Sequence, residues 1–319
     1  MPEDFMYEGV EIAPDAIIEG ADVAIGKGSR IGAGVVLQAE AIRIGEGAVI
    51  ERGTSIRGLG APMRRFSMGD QAFVGFGSQI LCPEFAMGDY SQLHNTALAT
   101  GYKPLAIGHN CWIGQSSILN CTEQLTIGNN VRIGTQSQLW THVASGELLE
   151  GCTLFGESPL RLKDNVWIVG GAVISPGLVL ERNSIVMTGS VLTRSTEPFH
   201  TYAGVPAKDV TEKLSFWKSM EPAEKAEMLR GFVDGFKIEQ PDFADSIIFL
   251  DAGAAMPAAA ANTVVVAERV DDWEPARSGS YSLFDLSSKH YLKQRSPAEI
   301  AWMRWINGYR ARFMPLEES

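Results

Sequence analysis

Ile25-Gly-Lys-Gly-Ser-Arg is followed by Ile31-Gly-Ala-Gly-Val-Val and then by Leu37. An aliphatic residue recurs every sixth position, with glycines and small polar residues between. Working outward, the same beat runs through Met6, Ile12 and Ile18 on one side and Ile44, Ile50 and Ile56 on the other. The step is six within each set of three and seven between sets. Short-period self-similarity of this kind marks a β-helix array. The spacing predicts three short strands and three corners per turn, with the aliphatic side chains stacked as ladders inside a triangular prism. Gly26, Gly28, Gly32 and Gly34 suit tight corners because glycine accepts φ > 0.

The beat breaks at 57–67, an insertion with Gly58, Gly60, Pro62 and the basic pair Arg64 and Arg65, and resumes at Met68, Val74, Ile80, Met87 and Leu93. A second interruption is expected at about 94–106, opened by His94. Ile107, Ile113, Leu119, Ile127, Ile133 and Leu139 follow, then a longer interruption at 140–161. Leu162, Ile168, Ile174, Leu180, Val186 and Leu192 form the last unbroken stretch. Insertions confined to corners leave such a prism intact, and loops on a rigid scaffold commonly carry function.

Beyond Val210 the beat stops. Residues 214–218 and 221–236 read as helices, the second with Pro222 in its first turn. Ser246-Ile-Ile-Phe-Leu, Thr263-Val-Val-Val-Ala and Tyr281-Ser-Leu-Phe read as strands, and the alanine-rich 252–261 as a loop. Ser296-Pro-Ala-Glu299 is a capping box opening a helix to about Phe313, with Trp302, Trp305, Ile306, Tyr309 and Phe313 on one face. The chain therefore reads as two domains: an all-β parallel β-helix over 1–210 and a small α+β appendage over 211–319.

Composition narrows the partners. With 45% apolar and 20% charged residues the chain is an ordinary globular one. A net charge of −11 argues against a nucleic-acid partner. The N-terminus lacks the basic and apolar segments of a secretion signal, and no apolar run is long enough to span a membrane. Cys82, Cys111, Cys121 and Cys152 form no CxxC pair. These features lead us to expect a cytoplasmic protein with reduced thiols.

Three features in fixed order carry a family resemblance: the repeat itself; Ile127-Gly-Asn-Asn-Val-Arg-Ile-Gly, followed by His142, an inserted loop and Pro159-Leu-Arg-Leu-Lys-Asp-Asn-Val-Trp-Ile168; and the exit sequence Tyr202-Ala-Gly-Val-Pro-Ala-Lys-Asp-Val210. The chain resembles the hexapeptide-repeat (left-handed β-helix) acyltransferases, specifically the galactoside, maltose and polysaccharide O-acetyltransferases. The match is tightest over 125–212, looser over 6–124 and absent beyond.

The resemblance implies an acetyl-CoA-dependent O-acetyltransferase acting on a sugar or glycan precursor, assembled as a homotrimer whose cofactor groove lies between neighbouring prisms. His142 matches the family's catalytic base. A sugar hydroxyl attacks a thioester poorly until a base takes its proton, and imidazole titrates near neutral pH. The resemblance assigns the acetyl-CoA groove to Trp167, Gly170, Thr188, Thr193, Arg194 and the exit-motif Lys208, although Val169 replaces a glycine common in the family. Candidate acceptor contacts are His94, Ser116, Asn120 and Glu150; Ser116 is aligned with an asparagine that touches sugar in the galactoside and maltose enzymes. Arg64 and Arg65 are candidates for an anionic acceptor or the cofactor. His109 reads as a structural corner residue.

Direct transfer without an acyl-enzyme is expected, because no cysteine has a partner matching a nucleophile motif. No metal is expected. An amino-sugar N-acetyltransferase would share base and cofactor. A γ-type carbonic anhydrase would need three imidazoles around zinc, and no second histidine lies close to His142 in sequence. A non-catalytic scaffold would keep the prism without the base and groove motifs.

Overall fold

The computed structural model describes residues 9–144, 146–257 and 261–316. Met6 and residues 258–260 of the alanine-rich stretch lie outside the described residues. The chain divides into two compact units, Met1–Trp217 and Lys218–Ser319.

The first unit is a three-sided parallel β-helix whose faces are sheets of eleven, nine and eight strands. Consecutive strands of the chain step from face to face, so neighbours within a sheet come from successive coils. The inward ladder of the first face runs Ile12, Ile31, Ile50, Val74, Leu93, Ile113, Ile133, Ile168, Val186 and Tyr202. The second face stacks Ile18, Leu37, Ile56, Ile80, Ala99, Leu119, Leu139, Ile174 and Leu192. The third stacks Ile25, Ile44, Met68, Met87, Ile107, Ile127, Leu162 and Leu180. Most of these side chains are fully buried, and each such burial is worth about 1.5–3 kcal/mol.

The expected interruption at 94–106 is much shorter. Ala99, fully buried, fills the second-face slot six residues after Leu93; its small side chain hid the hexad, and the extra residues are confined to the corner after Leu98–Thr100. All the insertions lie at the edge between the second and third faces. The third face also carries a second inward ladder: Val23, Ile42, Phe66, Phe85, Leu105, Leu125 and Leu160. Its strands are longer, so residues two apart both point inward. Phe66 and Phe85 stack at 5.6 Å with their planes 11° apart.

At two of the three edges most corners place one residue in the left-handed region. At the first–second edge Gly34, Gly53 and Gly77 supply it, then Thr96, Ser116 and Gln136. At the third–first edge Gly28 and Gly47 give way to Gln71, Tyr90, Asn110 and Asn130. The backbone demand persists after the glycine beat fades, met by residues with polar side chains, several of which bond to the neighbouring coil.

The third–first edge is also tied by a side-chain ladder. Glu46 N–H donates to Asp70 Oδ1, Asp70 N–H to Asp89 Oδ1, Asp89 N–H to His109 Nδ1, His109 N–H to Asn129 Oδ1 and Asn129 N–H to Asp164 Oδ1, at 2.7–2.9 Å. His109→Asn should hold stability within about 1 kcal/mol, because asparagine does the same work one coil on. His109→Leu strands the Asp89 N–H and should cost about 1–3 kcal/mol. Denaturation midpoints of the two variants check this; equal midpoints would contradict it.

Residues 214–218 are not helical. Five residues close too few intrahelical bonds to offset nucleation, and Trp217 instead packs edge-on against Phe199 at 5.9 Å. Before this segment, Thr201–Gly204 and Ala207–Asp209 form an antiparallel exit hairpin.

The second unit has a mixed five-stranded sheet in chain order: Ile247–Leu250, Val264–Ala267, Ser282–Asp285, His290–Leu292 and Met314–Pro315. The first three strands are parallel, including all three read from the sequence. Its helices are α1 (Pro222–Glu239), α2 (Glu274–Gly279) and α3 (Pro297–Ile306). Ser296 caps α3 by accepting from Glu299 N–H, whereas the Glu299 carboxylate turns to the Gln294 and Arg295 N–H groups and Ser282. α3 ends at Ile306, not near Phe313, at the sequence Asn307-Gly308. Trp302, Ile306 and Phe313 are buried, but Tyr309, past the helix end, is 86% exposed.

Candidate active site

His142 stands where the chain leaves the second face. Leu139 is its coil's inward residue; Trp140 and Thr141 follow, and His142–Ala144 then pairs antiparallel with Phe155–Glu157. The long insertion is thus a β-hairpin projecting from the second–third edge, with half-buried His142 at its base.

One coil earlier on the same edge sits Asn120, only 4% exposed. Its Oδ1 accepts from Thr141 N–H at 3.2 Å and from Thr141 Oγ1 at 2.7 Å. A backbone N–H can only donate, so this bond fixes which end of the amide faces the corner. The same oxygen lies 3.0 Å from His142 Nδ1. Nδ1 must therefore carry the proton, and Nε2 is left as the basic nitrogen. Asn120 Nδ2 donates to Thr122 Oγ1 at 3.1 Å, and Trp140 meets the imidazole edge-on at 5.8 Å. Asn120 is thus engaged with Thr141 and His142. Coils of about 20 residues could have signalled this pairing, since Asn120 and His142 are 22 apart.

The other acceptor candidates lie elsewhere. Ser116 occupies a left-handed corner of the first–second edge, its hydroxyl 3.0 Å from that of Thr96. His94 lies on that edge too, its ring 4.8 Å from Trp112 and 5.6 Å from Phe73, with Nε2 3.0 Å from Gln92 Oε1. Burial pushes its imidazole below the ordinary value. Glu150 is exposed in the hairpin turn, at the far end from His142. Arg64 is paired with Glu84 at 2.6 Å, and Arg65 is exposed on the third face.

The groove candidates separate into groups. Trp167, 46% exposed, sits on the first face between Arg132 and Ile185. Gly170 and Thr188 lie on the first–second edge one coil apart, where Gly189 N–H donates to Gly170 O at 3.0 Å. Gly170 has φ +153°, and a Cβ there would approach nothing closer than 3.6 Å. Thr193 and Arg194 are exposed on the second–third edge, the edge of His142. Lys208 is exposed on the exit hairpin. A single chain thus carries His142 on one edge and the Gly170–Thr188 pair on another.

All four cysteines are free thiols. A hydrogen bond with the Cys121 thiol, reinforced by burial, pushes Cys82 far above its ordinary range, and burial pushes Cys111 up to about 11. Among the described residues no three His, Cys, Asp or Glu side chains group so as to hold a metal ion, and no helix is long and apolar enough to cross a membrane.

Comparison with known proteins agrees with the architecture. The model of the hexapeptide repeat of succinyl-transferase matches residues 15–39 and 22–57. A provisionally named acetyltransferase of Schizosaccharomyces pombe is 31% identical over 160 residues, covering 46% of this chain and 77% of its own. Galactoside O-acetyltransferase of Escherichia coli is 31% identical over 108 residues, covering 33% of this chain; the match spans about half of that enzyme, 53%. Among solved structures, a maltose O-acetyltransferase from Clostridium difficile 630 is 27% identical, with 32% of this chain and 58% of that one covered and a TM-score of 0.28. Repeat, three-sided helix and yeast relative converge on one conclusion: this chain belongs to the hexapeptide-repeat acyltransferases of the left-handed parallel β-helix fold and is an acyltransferase.

Proposed function

We propose that the protein is an acetyl-CoA-dependent O-acetyltransferase that acylates a hydroxyl of a sugar or glycan precursor by direct transfer, with His142 as general base. The observation that carries this reading is the Asn120–His142 contact, which leaves Nε2 as the basic nitrogen of a half-buried histidine. The galactoside and maltose enzymes among the relatives favour a sugar hydroxyl as acceptor.

Acetyl-CoA supplies the acetyl group as an activated thioester. His142 Nε2 takes the acceptor hydroxyl proton as that oxygen bonds to the thioester carbonyl carbon; when the carbon–sulfur bond breaks, the proton passes to the departing sulfur. Asn120 holds the imidazole by its other nitrogen throughout. Direct transfer fits the cysteines, since the two with shifted pKa values are held as thiols and the thiolate is the nucleophilic form.

A homotrimer accounts for the separated groups. On a triangular prism His142 and the Gly170–Thr188 pair occupy different edges, so a groove built from both needs a second copy of the chain. Small residues on that edge would admit the thin pantetheine arm, and Arg194 and Lys208 would meet its phosphates.

Two measurements test this. Acetyl-CoA turnover over a sugar panel should yield an ester; transfer to amino sugars alone, as amide, would overturn it. Asn120→Leu should lower kcat about 10–100-fold with the KM for acetyl-CoA unchanged, the scale of a mispositioned base. Asn120→Asp should restore much of kcat and move the acidic limb of the pH–rate profile upward, because a carboxylate at Nδ1 favours the imidazolium. An unmoved limb would count against the contact.

A further inference from the structure

The hairpin register carries a second layer of information about the acceptor. Ser158 N–H donates to Thr141 O at 2.9 Å, which makes 141 and 158 a hydrogen-bonded pair. The next pair, His142 with Glu157, is then a narrow, non-hydrogen-bonded one, where facing side chains approach most closely. Ala144 pairs with Phe155 two positions on. Alternation places His142, Glu157 and Phe155 on one face of the ribbon, and Val143 and Gly156 on the other.

Directly opposed side chains have Cβ atoms about 4.5–5.5 Å apart, and diagonal neighbours about 7–8 Å. Glu157 is therefore the cross-strand neighbour of the base and Phe155 its diagonal neighbour. Both are exposed, Phe155 by 60%. Among the described residues the Glu157 carboxylate has no hydrogen-bond or ion-pair partner. No lysine or arginine occurs from Thr141 to Pro159, while Glu147, Glu150 and Glu157 do.

We propose that Glu157 and Phe155 form the acceptor half-site and select a neutral pyranoside; this rests on His142 being the base. The carboxylate accepts hydrogen bonds from hydroxyls beside the one being acylated. The phenyl ring covers the C–H face of the sugar, as an aromatic side chain covers other apolar surface. A sugar carrying a carboxylate on the reacting ring meets Glu157 with no cation on the hairpin to offset it, and like-charge juxtaposition rejects such a partner.

The test compares acetylation of a methyl galactopyranoside with the matching methyl galacturonide, at low and at high salt. Wild-type kcat/KM should favour the neutral sugar by about 10-fold or more, less so at high salt. Glu157→Gln should raise the KM for the neutral sugar about 3–10-fold with kcat nearly kept, and bring the two sugars close together. Phe155→Ala should raise the KM for the neutral sugar similarly, and Phe155→Tyr should restore it. The KM for acetyl-CoA should not move in any variant. Equal use of both sugars by the wild type, or unmoved acceptor KM values in Glu157→Gln, overturns the half-site while leaving the base assignment standing. Failure of the wild type to acetylate any sugar overturns the half-site and the underlying reading together.

Discussion

Replacing His142 by alanine should cut acetyl-CoA turnover with a sugar acceptor about 10²–10⁴-fold, the usual contribution of a positioned general base. Affinity for acetyl-CoA should stay within a few-fold, because the groove candidates Gly170 and Thr188 lie on a different edge from the base. The fold should survive as well: His142 is half-buried at the base of a projecting hairpin, and none of the inward ladders includes it. Steady-state kinetics, calorimetric titration with CoA and a melting curve on the same sample separate the three effects. Turnover within a few-fold of wild type would remove His142 as the base.

The largest stability effect is expected at Phe85. Its ring is 1% exposed and stacks on Phe66 within the second ladder of the third face. In a close-packed interior the lost ring leaves a cavity that stacked coils cannot easily close, because each coil is held by strand pairing on both sides. Phe85→Ala should cost about 3–5 kcal/mol and Phe85→Leu distinctly less. Urea denaturation at fixed chain concentration reads both. A loss below about 1 kcal/mol for the alanine variant would mean that the ring is not a packing element of the prism.

The prism was legible in the sequence because one physical demand repeats: every coil buries an aliphatic residue on each face. Where that demand was met by a smaller residue the reading slipped. Ala99 satisfies the hexad geometrically but gives no hydrophobic signal, so a short corner looked like an insertion opened by His94. The second third-face ladder went unseen because it falls two residues before the residues that keep the beat. Helix ends also misled: the aromatic face of α3 predicted a helix to Phe313, but the chain turns at Asn307-Gly308.

The site was legible only in part. His142 could be singled out because a motif and a chemical need coincide there. Asn120 was visible as a polar residue nearby, yet its role depends on which residues share an edge, and that follows from coil length rather than from sequence proximity. Ser116, aligned with a sugar-contacting asparagine, sits in a left-handed corner with its hydroxyl 3.0 Å from that of Thr96, on a different edge of the prism from His142. Glu157 could be read, with Glu147 and Glu150, as one of the acids of the inserted loop, but its place opposite His142 needed the hairpin register.

The separation of His142 from Gly170 and Thr188 leads to the most direct test of the whole account. Two inactive variants, His142→Ala and Thr188→Trp, would be co-expressed with different tags and the mixed trimers isolated. If each site takes its base from one chain and its groove from the next, every mixed trimer has one of its three interfaces with both wild-type halves. Activity of the isolated mixed trimers should therefore return to about a third of wild type, although each variant alone is nearly silent. Mixed trimers that stay as inactive as their parents would show that base and groove belong to a single chain, contradicting the shared site.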